Sequence, residues 1–185
     1  MRLGDDGDPV VRVAEPGDMA TVAEIFAHYV LHTDVTFETT PPTPQEWVAR
    51  HHRLRVEQGL PFLVAVDPGG PDEPPTGQVR QVVGYAYLTP WRPKPAYRHT
   101  VEDTVYLAAH HTGRGLGRAL LEALLTQAAE AGARQVIAVI ADTGDPASPA
   151  LHRTAGFVQT GRLHAVGHKH NRWIDTILMQ HSLPT

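Results

Sequence analysis

The sequence predicts an α+β domain, in which helices flank a mixed, mostly antiparallel sheet in a three-layer α/β arrangement. Three observations lead to this expectation. The 185 residues suffice for one domain with a sizeable core. Apolar, strand-like runs and amphipathic helical runs follow one another in the order β-α-α-β-β-β-α-β-α-β-β. That order does not alternate strictly, so a doubly wound parallel sheet is excluded. We expect residues 1–9 to be a disordered lead-in and residues 10–185 to form the single domain.

The first third of the chain predicts one strand and two helices. Residues 10–14 read as a strand. A helix follows over 19–33, with Asp18 placed to cap it. The segment from Thr43 to Glu46 is a capping box with proline at the first helical position, which predicts a second helix to about residue 58.

The middle of the chain predicts three strands and a long helix. Residues 60–66 and 82–88 are apolar and β-rich, and the Pro- and Gly-rich segment 67–81 between them is expected to be an exposed hairpin loop. Residues 100–107 form the next strand, and 115–131 form a helix with leucines on its core face.

The last part of the chain predicts a strand, a short helix and two closing strands. Residues 135–140 are wholly apolar, which predicts that both faces of this strand are buried. A short helix is expected over 148–155, and the closing strands are expected over 157–163 and 173–181.

Composition excludes several function classes. The formal net charge of -4 argues against a nucleic-acid binder, and no apolar run is long enough to cross a membrane. The acidic N-terminus does not read as a signal peptide, and cysteine is absent, so we expect a cytoplasmic protein. The twelve histidines show no zinc-type spacing, and we expect no metal.

A glycine-rich turn between a strand and a helix is the most informative motif. Gly113, Gly115 and Gly117 occupy alternate positions at the predicted helix start, beside Arg114 and Arg118. Free N–H groups and the helix dipole at such a start bind phosphate oxygens. The spacing fits neither the dinucleotide-binding nor the P-loop motif, and a plain tight connection is the alternative.

Glu102 precedes this turn on the same strand and is a candidate general base. A phosphate cradle a few residues from a carboxylate suggests an enzyme that uses a phosphate-bearing cosubstrate. The alternative is an ordinary salt-bridged carboxylate on a strand.

Four separated segments, in the expected order, resemble the GNAT superfamily of acyl-CoA-dependent N-acyltransferases, and most closely its phosphinothricin N-acetyltransferase group. They are TFETTPPTPQEW (36–47), GYAYLTPWRPKPAYRHTVEDTVYL (84–107), AVIADTGDPASPALHRTAGF (138–157) and GRLHAVGHKHNRW (161–173). That group includes methionine sulfone and sulfoximine acetyltransferases. The resemblance covers about residues 11–183. It implies the GNAT fold, transfer of an acetyl group from acetyl-CoA to the α-amine of an amino-acid analogue, and a homodimer.

The resemblance also implies roles for particular residues. Glu102 acts as the base, directly or through a water, and His152 carries a proton near the sulfur; Tyr106 or Tyr97 is the alternative donor to the thiolate. The strand before the turn pairs with the pantetheine arm, and a bulge there aims one N–H at the thioester oxygen. Lys94 replaces a family arginine that grips an anionic head group. The implied cofactor-binding residues are Val105, Tyr106, Leu107, Gly113, Arg114, Gly115, Leu116, Gly117, Arg118 and Asp145, and the implied substrate-binding residues are Phe37, Trp91, Lys94 and Tyr97.

Two other functions fit the same residues. One is acyl transfer to a different small amine, and the other is a non-catalytic acyl-CoA sensor. Glu102 together with His152 favours an enzyme, because a sensor has no need of both.

Overall fold

The computed structural model describes residues 10–67 and 81–184, which form seven strands and four α-helices. The predicted lead-in 1–9 and nearly all of the predicted loop 67–81 lie outside the described residues. The strands are β1 Val10–Val13, β2 Phe62–Val66, β3 Val82–Pro90, β4 Thr100–Leu107, β5 Gln135–Asp142, β6 Val158–Lys169 and β7 Arg172–Ser182. The helices are α1 Met19–His32, α2 Pro44–His52, α3 Leu116–Glu130 and α4 Ala147–Thr154.

The strands form one sheet in the order β1-β2-β3-β4-β5-β7-β6. All neighbours are antiparallel except β4 and β5, which run parallel. This confirms the predicted mixed, mostly antiparallel sheet. The sheet includes strands from both ends of the described chain, which supports a single domain over 10–185; that organisation stays a prediction.

The two faces of β4 point to different layers. Tyr106 packs against Phe26 and Tyr29 of α1, so the even-numbered residues of β4 face the layer of α1 and α2. An added Cβ at Gly84 would meet Leu107 of β4 and Leu120 of α3, so the odd-numbered residues face the layer of α3 and α4. This alternation decides which candidate residues can meet.

Local sequence signals explain most of the helix ends. Thr43 and Glu46 form the predicted capping box at the start of α2, with hydrogen bonds in both directions. Gly132 ends α3 in a left-handed conformation, with φ 83°. Asp18 does not cap α1 with its side chain, because its carboxylate accepts from Arg12 and from the Glu15 N–H instead.

The predicted burial of both faces of β5 is wrong. Val136, Ala138 and Ile140 are buried, whereas Ile137 is half-buried and Val139 is exposed. α1 packs mainly against β3 and β4, and the exposure of Val139 shows that the layer of α1 and α2 does not cover this part of β5. Among the described residues no helix combines the length and apolarity needed to cross a membrane.

Candidate active site

A cleft opens between β4 and β5, the two parallel strands. They pair only at Thr100–Glu102 with Gln135–Ile137. Beyond these residues β4 continues to pair with β3 through Leu107, and β5 with β7 through Asp142. Each wall is therefore an intact sheet segment, while the backbone edges between the walls have no strand partner.

Alternate residues of β4 present their backbone to this cleft. The Ala108 N–H donates to the Val83 carbonyl of β3, which turns the preceding Leu107 carbonyl toward the cleft side. The Tyr29 hydroxyl donates to that carbonyl at 2.6 Å. By the same alternation, the backbone groups of Val105 also face the cleft.

The bulge expected in β4 is absent from residues 101–107, which pair with β3 in an unbroken register. A bulge frees a strand N–H by inserting an extra residue. Here β4 diverges from β5 after Glu102, so the N–H groups on that edge of β4 lose their strand partner without a bulge. The N–H groups of Val105 and Leu107 on the regular strand therefore lack a strand partner, and donation by one of them to a thioester oxygen stays a prediction.

The glycine turn has the geometry of an anion site. Gly113 and Gly115 have φ values of 75° and 79°, which favour glycine, and an added Cβ at Gly115 would meet nothing within 4 Å. Leu116 begins α3 directly after it, and no side chain caps this helix start. The N–H groups of the first turn are thus directed at an open, uncapped helix end.

The two arginines of the turn have acidic neighbours. Arg114 lies 3.6 Å from the Asp67 carboxylate and 3.0 Å from the His111 ring, and Arg118 pairs with Glu122 at 2.7 Å. Surface pairs of this kind are weak and screened by salt, so both guanidinium groups remain able to contact a phosphate.

Asp145 lies at the opposite wall, before α4. Its carboxylate accepts from the Ala147 N–H at 2.9 Å and so helps to fix the start of that helix. Asp145 is exposed, and its predicted cofactor contact stays a prediction.

Glu102 lies where β4 and β5 begin to separate. It is the last residue of β4 that pairs with β5, and its half-buried side chain faces the layer of α1 and α2. Burial raises the pKa of Glu102, the adjacent Asp103 carboxylate raises it further, and the Arg92 guanidinium partly opposes both. A carboxylate with a raised pKa is a stronger base while it is still ionised near neutral pH.

His152 lies on the other side of the sheet. It belongs to α4 and is 4% exposed. Its Nε2 lies 3.0 Å from Asp103 Oδ2, and its Nδ1 lies 2.8 Å from the Ser148 carbonyl. Burial acts to lower the pKa of His152, but the hydrogen bond and charge of Asp103 and the Ser148 carbonyl outweigh it, and the pKa is raised. Both ring nitrogens are therefore occupied, and the histidine has no free nitrogen for a third partner.

Asp103 is a site residue that the sequence reasoning did not identify. It is the first residue of β4 beyond its pairing with β5, and it is buried. Oδ2 binds His152, while Oδ1 is buried with no hydrogen-bond partner. The only sequence signal was strand alternation, which places Asp103 opposite to Glu102 and toward α4.

The predicted substrate residues lie at two places. Trp91, Lys94 and Tyr97 belong to the turn between β3 and β4, at the Glu102 end of the strand. Trp91 is half-buried with the Arg92 guanidinium 4.8 Å from its ring centroid, whereas Lys94 and Tyr97 are exposed. Phe37 follows α1, next to Thr36, which hydrogen-bonds to Tyr106 on the Glu102 face of β4.

The histidines do not assemble a metal site in the part of the chain that the structure describes, since no group of three or more His, Asp or Glu side chains is arranged to hold an ion. His51 and His52, adjacent in α2, make separate contacts: His51 Nε2 lies 3.0 Å from the Ala14 carbonyl, and His52 Nδ1 lies 3.4 Å from the Glu57 carboxylate.

Comparison with known proteins shows the family of this chain. The sequence model of the Acetyltransferase (GNAT) family matches residues 27–157. The phosphinothricin N-acetyltransferase of Alcaligenes faecalis is 42% identical over 94% of this chain and 82% of that protein. The L-methionine sulfoximine/L-methionine sulfone acetyltransferase of Pseudomonas paraeruginosa is 35% identical over 94% of each.

Solved structures show the same fold. The acetyl-CoA complex of a phosphinothricin acetyltransferase from Sinorhizobium meliloti superposes with a TM-score of 0.84 at 38% identity, covering 95% of this chain and 88% of that one. The family match covers well over half of the chain, and the curated relatives match it nearly end to end. The chain therefore belongs to the GNAT family of acetyltransferases.

Proposed function

We propose that this protein transfers the acetyl group of acetyl-CoA to the α-amine of an amino-acid analogue of the phosphinothricin, methionine sulfone or methionine sulfoximine type. One observation carries the proposal. Glu102, a half-buried carboxylate with a raised pKa, stands at the base of a cleft whose far end is an uncapped helix start. The names of the relatives supply the substrate class.

The cleft fits acetyl-CoA in two respects. The open space at Gly115 and the first turn of α3 suit the pyrophosphate, with Arg114 and Arg118 beside it. The backbone edge of Val105 and Leu107, which has no strand partner, suits the extended pantetheine arm, although the Leu107 carbonyl already accepts from the Tyr29 hydroxyl. When bound, acetyl-CoA supplies the acetyl group as an activated thioester.

Glu102 prepares the amine for attack. An α-ammonium group has no lone pair, so it must first lose a proton, and the Glu102 carboxylate accepts that proton directly or through a water. The neutral nitrogen would then attack the thioester carbonyl, the C–N bond forming as the C–S bond breaks, and coenzyme A would leave as a thiolate that takes up one proton. A backbone N–H of the diverging strand stabilises the negative charge that develops on the carbonyl oxygen.

Asp103 and His152 form a fixed hydrogen-bonded pair rather than a relay that carries protons. With one ring N–H directed at Asp103 and the other at Ser148, His152 is held in a fixed orientation. A proton route through His152 requires one of those bonds to open. Tyr106 lies on the same face as Glu102, and burial raises its pKa, so it is protonated at neutral pH but is a weaker acid than an exposed phenol.

The acceptor space lies on the Glu102 face. Trp91, Lys94 and Tyr97 border it from the turn between β3 and β4, and Phe37 borders it from the loop after α1. A cation and aromatic walls suit an amino acid with an anionic or sulfonyl head. Arg92, whose charge acts on Glu102, adds a second cation that the sequence reasoning did not assign.

We also propose that the protein is a cytoplasmic homodimer. The part of the sheet formed by β5, β7 and β6 carries exposed apolar side chains on the Glu102 face, among them Val139, Val158 and Leu163. Such a patch is typical of an interface.

The experiment that tests the function is thiol release from acetyl-CoA across a panel of amino acids and analogues. Phosphinothricin, methionine sulfone and methionine sulfoximine should give the highest kcat/KM, and E102Q should remove most of this activity. If only unrelated amines were acetylated, the proposed substrate class would be wrong. Acetyl-CoA binding without turnover on any amine would favour the sensor alternative.

A further inference from the structure

The loop between α1 and α2, residues 33–43, is tied to the tip of the hairpin formed by β6 and β7, residues 167–172. One tie is a lysine. Lys169 is 5% exposed, and its Nζ donates to the Thr36 carbonyl at 2.9 Å. Burial lowers the pKa of Lys169. An ammonium group is costly to bury, so its placement under this loop calls for a specific reason.

A second tie is ionic. The Asp34 carboxylate accepts from His170 Nδ1 at 2.7 Å and from Arg172 Nη1 at 3.2 Å. His170 and Asn171 have φ values of 46° and 61°, so the hairpin turns tightly just here and presents these donors to the loop.

The third tie is steric. Gly167 lies against the Phe37 ring so closely that an added Cβ would overlap three ring carbons. Gly167 does not have a positive φ, so the turn does not demand glycine at this position. The close approach of the ring is what requires it. Phe37 is 40% exposed, so one side of the ring rests on the hairpin while the rest remains accessible.

The same loop reaches the catalytic strand. Thr36, whose carbonyl binds Lys169, also hydrogen-bonds to the Tyr106 side chain. Tyr106 and Glu102 lie on one face of β4, because they are four positions apart and side chains alternate between the faces of a strand. The loop therefore joins the hairpin tip to the strand that carries the candidate base.

We propose that the hairpin tip is a clasp that fixes the Phe37 ring beside the acceptor site, which makes Gly167 and Lys169 positioning residues for acceptor specificity. The inference rests on the proposed function, because it takes the Glu102 face as the acceptor side. Phe37 contacts the acceptor, and the clasp residues act through Phe37.

The steric tie allows a test by rescue. G167A adds a methyl group that pushes the ring away, and we expect the KM for the amine to rise about 10- to 100-fold, as misplaced site groups commonly cause. The KM for acetyl-CoA should stay within about twofold, because Phe37 packs on the Glu102 face of the sheet whereas α3, which begins at the glycine turn, packs on the opposite face. G161A is the matched control, since an added Cβ on the same strand meets only Leu178, at an ordinary 3.6 Å.

F37A then decides between the clasp and a merely structural role for Gly167. With the ring removed, the methyl group has nothing to displace, so G167A/F37A should match F37A alone. A G167A variant indistinguishable from G161A would overturn the clasp. The clasp would also be overturned if G167A raised the KM for the amine by the same factor in the F37A background as in the wild type.

Hydrogen exchange gives a readout that needs no turnover. The backbone amides of residues 34–38 should exchange faster in G167A and in K169M than in G161A, while those of α3 stay unchanged. Unchanged exchange at 34–38 in both variants would refute the clasp even if the enzyme is active. Faster exchange together with no activity on any amino acid would instead reject the proposed function and leave the clasp in place.

Discussion

At the scale of single residues, the two predicted catalytic groups are separated by the sheet. Glu102 faces the layer of α1 and α2, whereas its neighbour Asp103 faces α4 and binds His152. Because side chains alternate along a strand, a proton taken by Glu102 cannot pass to His152 by direct contact. If both groups take part in the reaction, they therefore serve different steps.

Glu102 should control the acidic limb of the pH–rate profile. Its raised pKa means that activity is lost as the pH falls through a value above the ordinary carboxyl range. In E102Q, kcat should fall about 10²- to 10⁴-fold at neutral pH and recover partly at high pH, where solvent deprotonates the amine. Steady-state kinetics over a pH series measures both effects.

The E102Q variant keeps the size and shape of the side chain, so any loss of activity comes from the missing carboxylate. Calorimetry should give E102Q the same acetyl-CoA affinity as the wild type. A loss that is equal at every pH would show that Glu102 positions the substrate, and wild-type turnover at neutral pH would remove it from the mechanism.

Asp103 and His152 should make the stability of the fold depend on pH. The pKa of His152 is raised in the folded protein, so the pair contributes fully below the unfolded value of about 6.5, and the contribution is lost as the pH rises through the folded value. Above that value, a buried carboxylate faces a neutral imidazole. D103N should therefore lower the free energy of unfolding by about 1–3 kcal/mol at pH 5.5, and by less at pH 9.

Urea unfolding of wild type and D103N at the two pH values measures this difference. D145N is a suitable control, because Asp145 is exposed and contacts a backbone N–H rather than a histidine. A D103N effect that is the same at both pH values would mean that Asp103 matters for packing and not for the charge of His152.

Sequence reasoning found the residues whose role depends on local context. Glu102 and the glycines stand within one strand–turn–helix segment, and their spacing was informative. Asp103 was missed because its partner lies 49 residues away, in another element. Lys169 was missed because a lysine near a hairpin tip ordinarily faces water, and only the loop 133 residues before it in sequence buries this one.

At the scale of elements, the start of α3 is the part most directly built for a ligand. G115V should weaken acetyl-CoA binding at least about tenfold, since a branched side chain forces the left-handed backbone at φ 79° to change and fills the space the phosphates approach. G132V is the matched control. Gly132 has φ 83° and equally open space, but lies at the other end of the same helix.

Calorimetric titration with acetyl-CoA compares the two variants. Both should lose similar stability in thermal unfolding, because both strain a left-handed glycine. Only G115V should lose affinity. Equal dissociation constants in the two variants would place the pyrophosphate away from this turn.

The elements themselves were largely predictable, because their signals are local. Capping boxes, glycines at helix ends and apolar periodicity fixed the type of each element. The errors came from tertiary context. An apolar run such as Val136–Ile140 indicates a strand but not which faces are covered, since that depends on where α1 and α2 end in space.

At the scale of the whole molecule, the sheet is covered unequally. α1 packs on β3 and β4, whereas the Glu102 face of β5, β7 and β6 is left with apolar side chains. We call this the open face; register places on it Ile137, Val139, Val158, Leu163 and Leu178. Val139 lies two residues beyond Ile137, the register partner of Glu102, so a subunit docked there would also adjoin the acceptor site.

If the open face is the dimer interface, a charge placed on it should separate the subunits. V139K should convert a dimeric wild type to a monomer in sedimentation velocity, because an interface core tolerates an unpaired charge poorly. V13K is the matched control. Val13 and Val139 are both strand residues, 41% and 38% exposed, but Val13 lies in β1 at the opposite edge of the sheet. A dimeric V139K, or a V13K that dissociates equally, would move the interface elsewhere.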